Sequence, residues 1–148
     1  MTAKEYLIEI RKYNRIATSL AEQVDIIRNE IGGLKGIAYD KDRVQTSPSN
    51  RMEELIPKLI KAEEQYTESL IKYRMEYLKR VRQIAELDNP DHVEILQLRY
   101  IETDDKGHVL SWRAIADRMH WSYSKVTHMH GYALQAFSQK YLQTHATK

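Results

Sequence analysis

Between Ile10 and Leu34, apolar or small side chains recur at Ile10, Tyr13, Ala17, Leu20, Val24, Ile27, Ile31 and Leu34, in steps of 3, 4, 3, 4, 3, 4 and 3. A stripe of that period stays on one side of an α-helix only where the helix lies along another. Isolated helices with one narrow seam bury too little to be stable alone, so the chain is restricted to long paired helices. The first is expected over residues 4–35, ended by Gly32, Gly33 and Gly36. A 15-residue loop, GIAYDKDRVQTSPSN at 36–50, follows and is rich in turn formers. A second helix is expected from close to Glu53 to about Leu87. Its stripe is Leu55, Leu59, Ala62, Tyr66, Leu70, Tyr73, Tyr77, Val81, Ile84 and Leu87, with more steps of four and therefore a drifting seam. Pro57 would kink a helix that began before Glu54. Two such helices can fold back as an antiparallel hairpin. The hairpin leaves apolar flanks uncovered, which points to a homo-oligomer with a dimer favoured.

Composition narrows the class. Five Gly, three Pro and 30% charged residues in 148 suit an all-α protein. Ten Tyr against one Phe suit wide, partly wet seams, because a Tyr hydroxyl can stay in water. There is no Cys, so disulfides and thiolate chemistry are excluded. The start, MTAKEYLIEIRKYN, lacks the apolar core of a secretory signal. No run approaches 18 apolar residues, so no membrane partner and a cytoplasmic location are expected.

A second region is expected at 89–148, after the hairpin of 1–88. Asn89 is placed to cap a helix with Pro90 at its first position, running to about Ile101 with Val93, Ile95, Leu96 and Tyr100 inward. ETDDKGHVL is then a loop or short hairpin turning at Asp105-Lys106-Gly107. Residues 111–137, SWRAIADRMHWSYSKVTHMHGYALQAF, show two further short helices. Ile115, Ala116 and Met119 share a face of the first; Val126, Met129, Ala133 and Phe137 share a face of the second. Trp121 can plug the elbow, and Ser122 can cap the second helix. Two short helices locked by a shared apolar wedge present the second one outward, ready for a major groove.

On a helical wheel Ser124, Thr127, His128, Gly131 and Gln135 lie opposite Val126 and Met129. Ser, Thr, His and Gln side chains hydrogen-bond base edges or phosphates. Gly131 in mid-helix costs roughly 1 kcal/mol relative to Ala, and either serves close approach to DNA or another helix or is simply tolerated. Residues 111–148 carry Arg113, Arg118, Lys125, Lys140 and Lys148 against Asp117, a net +4, which leaves −2 for the rest of a chain whose total is +2. The field that attracts DNA would come from the end carrying the paired helices. That charge is modest, so two such ends held together would raise affinity through effective concentration. The candidate DNA-contacting set is Arg113, Tyr123, Ser124, Lys125, Thr127, His128, Gly131 and Gln135.

The chemistry of catalysis is not visible. Gly32-Gly33 lacks the Lys-Ser/Thr of a phosphate-cradling loop. His128 and His130 point about 200° apart on a helix, and without Cys a zinc site has no base. Glu53-Glu54, Glu63-Glu64 and Asp104-Asp105 sit on expected solvated faces or in a turn. No enzyme, metal, cofactor or small-molecule substrate is expected.

WSYSKVTHMHGYAL, with LQLRYI before it and Ala116 at the small-residue contact, resembles region 4 of bacterial sigma factors. His120 stands in the turn where Gly is common, a place that often needs positive φ. The positions matching sigma's base-reading residues are Tyr123, Ser124, Lys125, Thr127 and His128; only Lys125 is a fixed cation, so promoter specificity does not carry over. At whole-chain scale, YDKDRVQTSPSN, LQLRYI, WRAIADRMHWSYSKV and MHGYAL make the chain similar to ArpU-like late-transcription regulators of phages and prophages. The resemblance implies an N-terminal helical region, a sigma-like helix-turn-helix, sequence-specific binding of double-stranded DNA, and host RNA polymerase as a partner. The VQTSP segment has two readings: Ser49 or Asn50 caps the second helix, or Arg43, Gln45, Thr46 and Ser47 contact DNA backbone or a partner. Two other functions fit the same outline: an oligomeric packaging protein like small terminase subunits, and a sigma-like protein-interaction module without DNA contact.

Overall fold

The computed structural model describes residues 1–41 and 49–143. Five α-helices dominate them: α1 (Ala3–Lys41), α2 (Ser49–Ala85), α3 (Pro90–Tyr100), α4 (Trp112–Met119) and α5 (Tyr123–Phe137), followed by a π-helical turn over Ser138–Leu142. Among the described residues there is no strand, only an isolated antiparallel bridge between Thr103 and Val109. No helix among them is long and apolar enough to cross a membrane.

Both long helices exceed the expected spans. α1 runs through Gly32, Gly33 and Gly36 rather than ending there, so 36–41 is helix and not loop. Each Gly costs about 1 kcal/mol in a helix interior. Ile31 is nevertheless buried and Leu34 half-buried, and that burial opposes the cost. α2 starts at Ser49, not Glu53, which places Pro57 inside it and puts Ser49 and Asn50 in the helix instead of ahead of it as caps. Arg43, Gln45, Thr46 and Ser47 lie outside the described residues.

The chain divides into two compact units, and the division falls within the two long helices rather than at 88/89. A composite unit joins Met1–Tyr13 to Met75–Lys148; a middle unit comprises Asn14–Arg74.

In the middle unit, Ala17, Val24, Ile27 and Ile31 of the heptad stripe are buried. On α2, Ile56, Leu59, Ala62, Leu70 and Tyr73 are half-buried. Leu55 and Tyr66, expected in the seam, are 39% and 40% exposed. The drift foreseen from the steps of four carries them out of it. Arg28 Nε donates to Glu63 Oε1 at 2.7 Å. Ile26, Ile37, Ile60 and Ile71 are exposed.

The composite unit holds a contiguous core. Leu7, Ile10, Ile84, Ile95, Leu96, Ile115, Val126 and Phe137 are essentially inaccessible. Arg80 is buried beside them; its terminal nitrogens have several partners, while its buried Nε has no hydrogen-bond partner among the described residues. Its guanidinium donates to the Tyr6 carbonyl at 2.7 Å and pairs with Glu9 at 3.0 Å. It also lies 3.9 Å from the Tyr6 ring centre and 4.7 Å from that of Tyr13. A planar, weakly hydrated cation between two aromatic faces is the form in which a buried charge is tolerated. Tyr6 Oη in turn donates to Gln83 Oε1 at 2.7 Å.

Candidate nucleic-acid interface

Three capped starts set the positions of the short helices. Asn89 Oδ1 accepts from the Asp91 N–H at 2.9 Å, with Pro90 opening α3. Ser111 Oγ accepts from the Ala114 N–H at 3.1 Å to start α4. Ser122 Oγ accepts from the Lys125 N–H at 3.1 Å to start α5. Each satisfies one of the orphan donors of a helix N-terminus. Between α3 and α4, Asp104 Oδ1 accepts from the N–H groups of Lys106 and His108, and Gly107 turns at φ 81.

The elbow between α4 and α5 is closed by His120 in the left-handed region, φ 57 and ψ 38. The Trp121 N–H then reaches back to the Ala116 carbonyl at 3.0 Å, which ends α4 sharply. Trp121 is half-buried and packs against the core that includes Met119 and Val126. Lys125 Nζ stands 4.2 Å from its ring centre, so the fixed cation of α5 is held over the indole face.

Behind α5 a polar knot joins the three helices. Tyr100 Oη and His130 Nε2 are 2.8 Å apart, and the Trp112 ring meets His130 edge-on at 4.6 Å. Burial, with Arg99 nearby, lowers the His130 pKa from its ordinary 6.5 to about 4, while burial pushes Tyr100 up to about 12. The pair therefore exists as a neutral ring and a neutral phenol sharing one hydrogen bond. Arg99 is also committed: it donates to the Leu110 carbonyl at 2.8 Å and stacks 4.2 Å from the Trp112 ring.

The outer side of α5 presents the residues singled out from the sequence. Tyr123, Ser124, Lys125, His128, Gly131 and Gln135 are exposed, and Thr127 is half-buried on the same helix. Arg113 is exposed at the start of α4, one element away. A Cβ placed on Gly131 would meet nothing within 4 Å, so no neighbour in the protein requires Gly there. Two of these side chains fold back on one atom. Thr127 Oγ1 donates to the Ser124 carbonyl at 3.0 Å, and His128 Nδ1 lies 2.7 Å from the same oxygen. Lys140, counted with the basic end, is tied at the surface to the end of α2: its Nζ donates to the Glu86 carbonyl at 2.6 Å and faces Asp88 at 3.7 Å.

No protein-family model, curated protein or solved structure matches this chain.

Other contributors were not singled out from the sequence. Ala3, Tyr6 and Leu7 of α1 join Ile10 in the core that supports α5, and the Tyr6 ring meets Phe137 at a tilt with centres 5.7 Å apart. Part of the signal was present, because Ala3 and Tyr6 extend the heptad stripe one repeat towards the N-terminus. Arg80 carried no such signal, since a basic residue next to a seam ordinarily reads as solvated.

Proposed function

We propose that the chain binds double-stranded DNA in a sequence-dependent way and regulates transcription. α5 would lie in the major groove as the recognition helix of a sigma-like helix-turn-helix. The observation that carries this is a rigidly backed helix with a polar, uncovered outer face. α5 is capped by Ser122 and anchored by Val126, His130, Ala133 and Phe137. Opposite that anchor Ser124, His128 and Gln135 stand exposed. Arg113 and the modest positive charge of 111–148 supply phosphate attraction.

The long helices are read as an antiparallel hairpin that pairs copies of the chain. The exposed Ile26, Ile37, Ile60 and Ile71 of the middle unit favour this, because apolar side chains of that size on a two-helix unit gain by being covered. A dimer would carry two α5 helices, one for each half of a two-fold site. The sequence resemblance to phage and prophage regulators supports phage genes as the proposed targets and host RNA polymerase as a proposed partner. Catalysis plays no part in this account.

The test is an electrophoretic shift with a random duplex pool and with sites selected from it. Lys125→Glu combined with His128→Ala is expected to abolish selective binding while leaving the helical circular dichroism unchanged. Undiminished binding by that variant would remove α5 as the reader. A mass of eight or more protomers in solution would instead favour the packaging function, and absence of any salt-dependent affinity would favour a protein-docking module.

A further inference from the structure

We infer that α5 reads exocyclic amines, meaning adenine N6 or cytosine N4, through hydrogen-bond acceptors on Thr127 and His128. This rests on the DNA-binding reading above and adds the class of base edge that the helix selects.

The argument starts from the Ser124 carbonyl. A carbonyl oxygen only accepts, so both groups that touch it must donate to it. Thr127 Oγ1, at 3.0 Å, spends its single proton there and keeps only lone pairs for an outside partner. His128 Nδ1, at 2.7 Å, must carry its hydrogen towards the same oxygen. A neutral imidazole has one N–H, so Nε2 is left as a bare acceptor. The Ser124 hydroxyl, 3.4 Å from Nδ1, does not compete with the shorter contact. Two neighbouring side chains of the outer face are thus set to one polarity by one backbone atom.

Base edges in the major groove carry opposite demands. Adenine N6 and cytosine N4 donate, whereas guanine N7 and O6 and thymine O4 accept. Acceptors facing guanine or thymine would meet lone pair with lone pair. Histidine on a recognition helix can also donate to guanine, and here the carbonyl tether selects the reverse role. Held rotamers lower the ordering cost of contact, which sharpens discrimination.

The test uses the full chain and duplexes selected from a random pool, with bases then altered one atom at a time. Replacing adenine by unsubstituted purine, or cytosine by 2-pyrimidinone, removes the amine; replacing adenine by 7-deazaadenine removes N7 and keeps the amine. At one or two positions loss of the amine is expected to weaken binding about tenfold. Loss of N7 at an adenine among them should change it less than about twofold. Thr127→Val, which keeps shape and removes the lone pairs, is expected to erase the penalty at one such position. His128→Lys, which can only donate, is expected to move the preferred base at its position to guanine. If the bases sensitive to these two substitutions are guanine or thymine, or if sensitivity follows N7, the inference is overturned while DNA binding stands. Salt-dependent binding with no preferred sequence overturns it together with the sequence dependence proposed above, and leaves duplex binding itself standing. Absence of duplex affinity removes the DNA-binding reading and this inference together.

Discussion

The composite unit and the middle unit are built from the same two long helices, yet they are held in different ways. In the composite unit Leu7, Ile84, Ile95, Ile115 and Phe137 are sealed from water, and serine or asparagine caps start all three short helices. In the middle unit burial is confined to single stripe positions such as Val24 and Ile27, and large apolar side chains such as Ile71 remain in water. The contrast shows where one polypeptide suffices to specify a unique arrangement. Three short helices and two helix ends surround a core from several sides, whereas a helix pair has one seam and two open flanks.

The largest effect that separates the units is expected in the core. Phe137→Ala should cost about 3–5 kcal/mol in urea unfolding, because the ring contacts Tyr6 and Tyr141 and leaves a cavity that the backbone cannot collapse. Ile71→Ala, on the exposed side of α2, should change the stability of a monomer by less than about 0.5 kcal/mol. In the pairing of copies proposed above, the same substitution should cost more at high protein concentration, and the excess should vanish on dilution.

Next is the buried cation. Arg80→Ala removes the guanidinium donor from the Tyr6 carbonyl and the cation from Glu9, at a cost of about 3 kcal/mol in the same unfolding experiment. An unchanged midpoint would show that the bonds to Tyr6 and Glu9 contribute nothing net.

A smaller effect follows from His130. Its folded pKa of about 4 lies below the ordinary 6.5, so the unfolded chain takes up the proton first. The neutral ring's contribution is complete above pH 6.5 and is lost as the pH falls towards 4. The loss should be on the order of 2 kcal/mol, less than full burial would give because the ring keeps some access to water. His130→Gln, which keeps an acceptor for Tyr100 and cannot titrate, should flatten that part of the stability-pH curve. A slope unchanged by the substitution would assign it to other groups.

The smallest changes concern glycine. Gly32→Ala and Gly33→Ala should each stabilise the middle unit by up to about 1 kcal/mol, since a Cβ at either position meets nothing within 4 Å. Gly131→Ala should stabilise the composite unit similarly, and its effect on DNA affinity reports whether a duplex comes close there.

Much of this was legible in the sequence because periodicity and capping are local. The heptad stripe marked the buried side of α1, and Asn89-Pro90, Ser122 and the His120 turn were each read at the correct residue. Helix ends were less legible. Three glycines argued for an end to α1 that seam burial at Ile31 and Leu34 opposes, and Pro57 argued for a start of α2 near Glu53, whereas α2 starts at Ser49. The outer face of α5 could be read from a wheel, but its hydrogen-bond polarity could not. That depends on which way Thr127 and His128 turn about χ1, a choice that only the folded helix displays.

The most direct test of the central claim is a map of backbone amide shifts during titration of the full chain with a short duplex at low salt. The account predicts that the shifts cluster on residues 122–135, with Arg113, and fade as salt is raised. Shifts confined to the long helices, or none at any salt concentration, would contradict it.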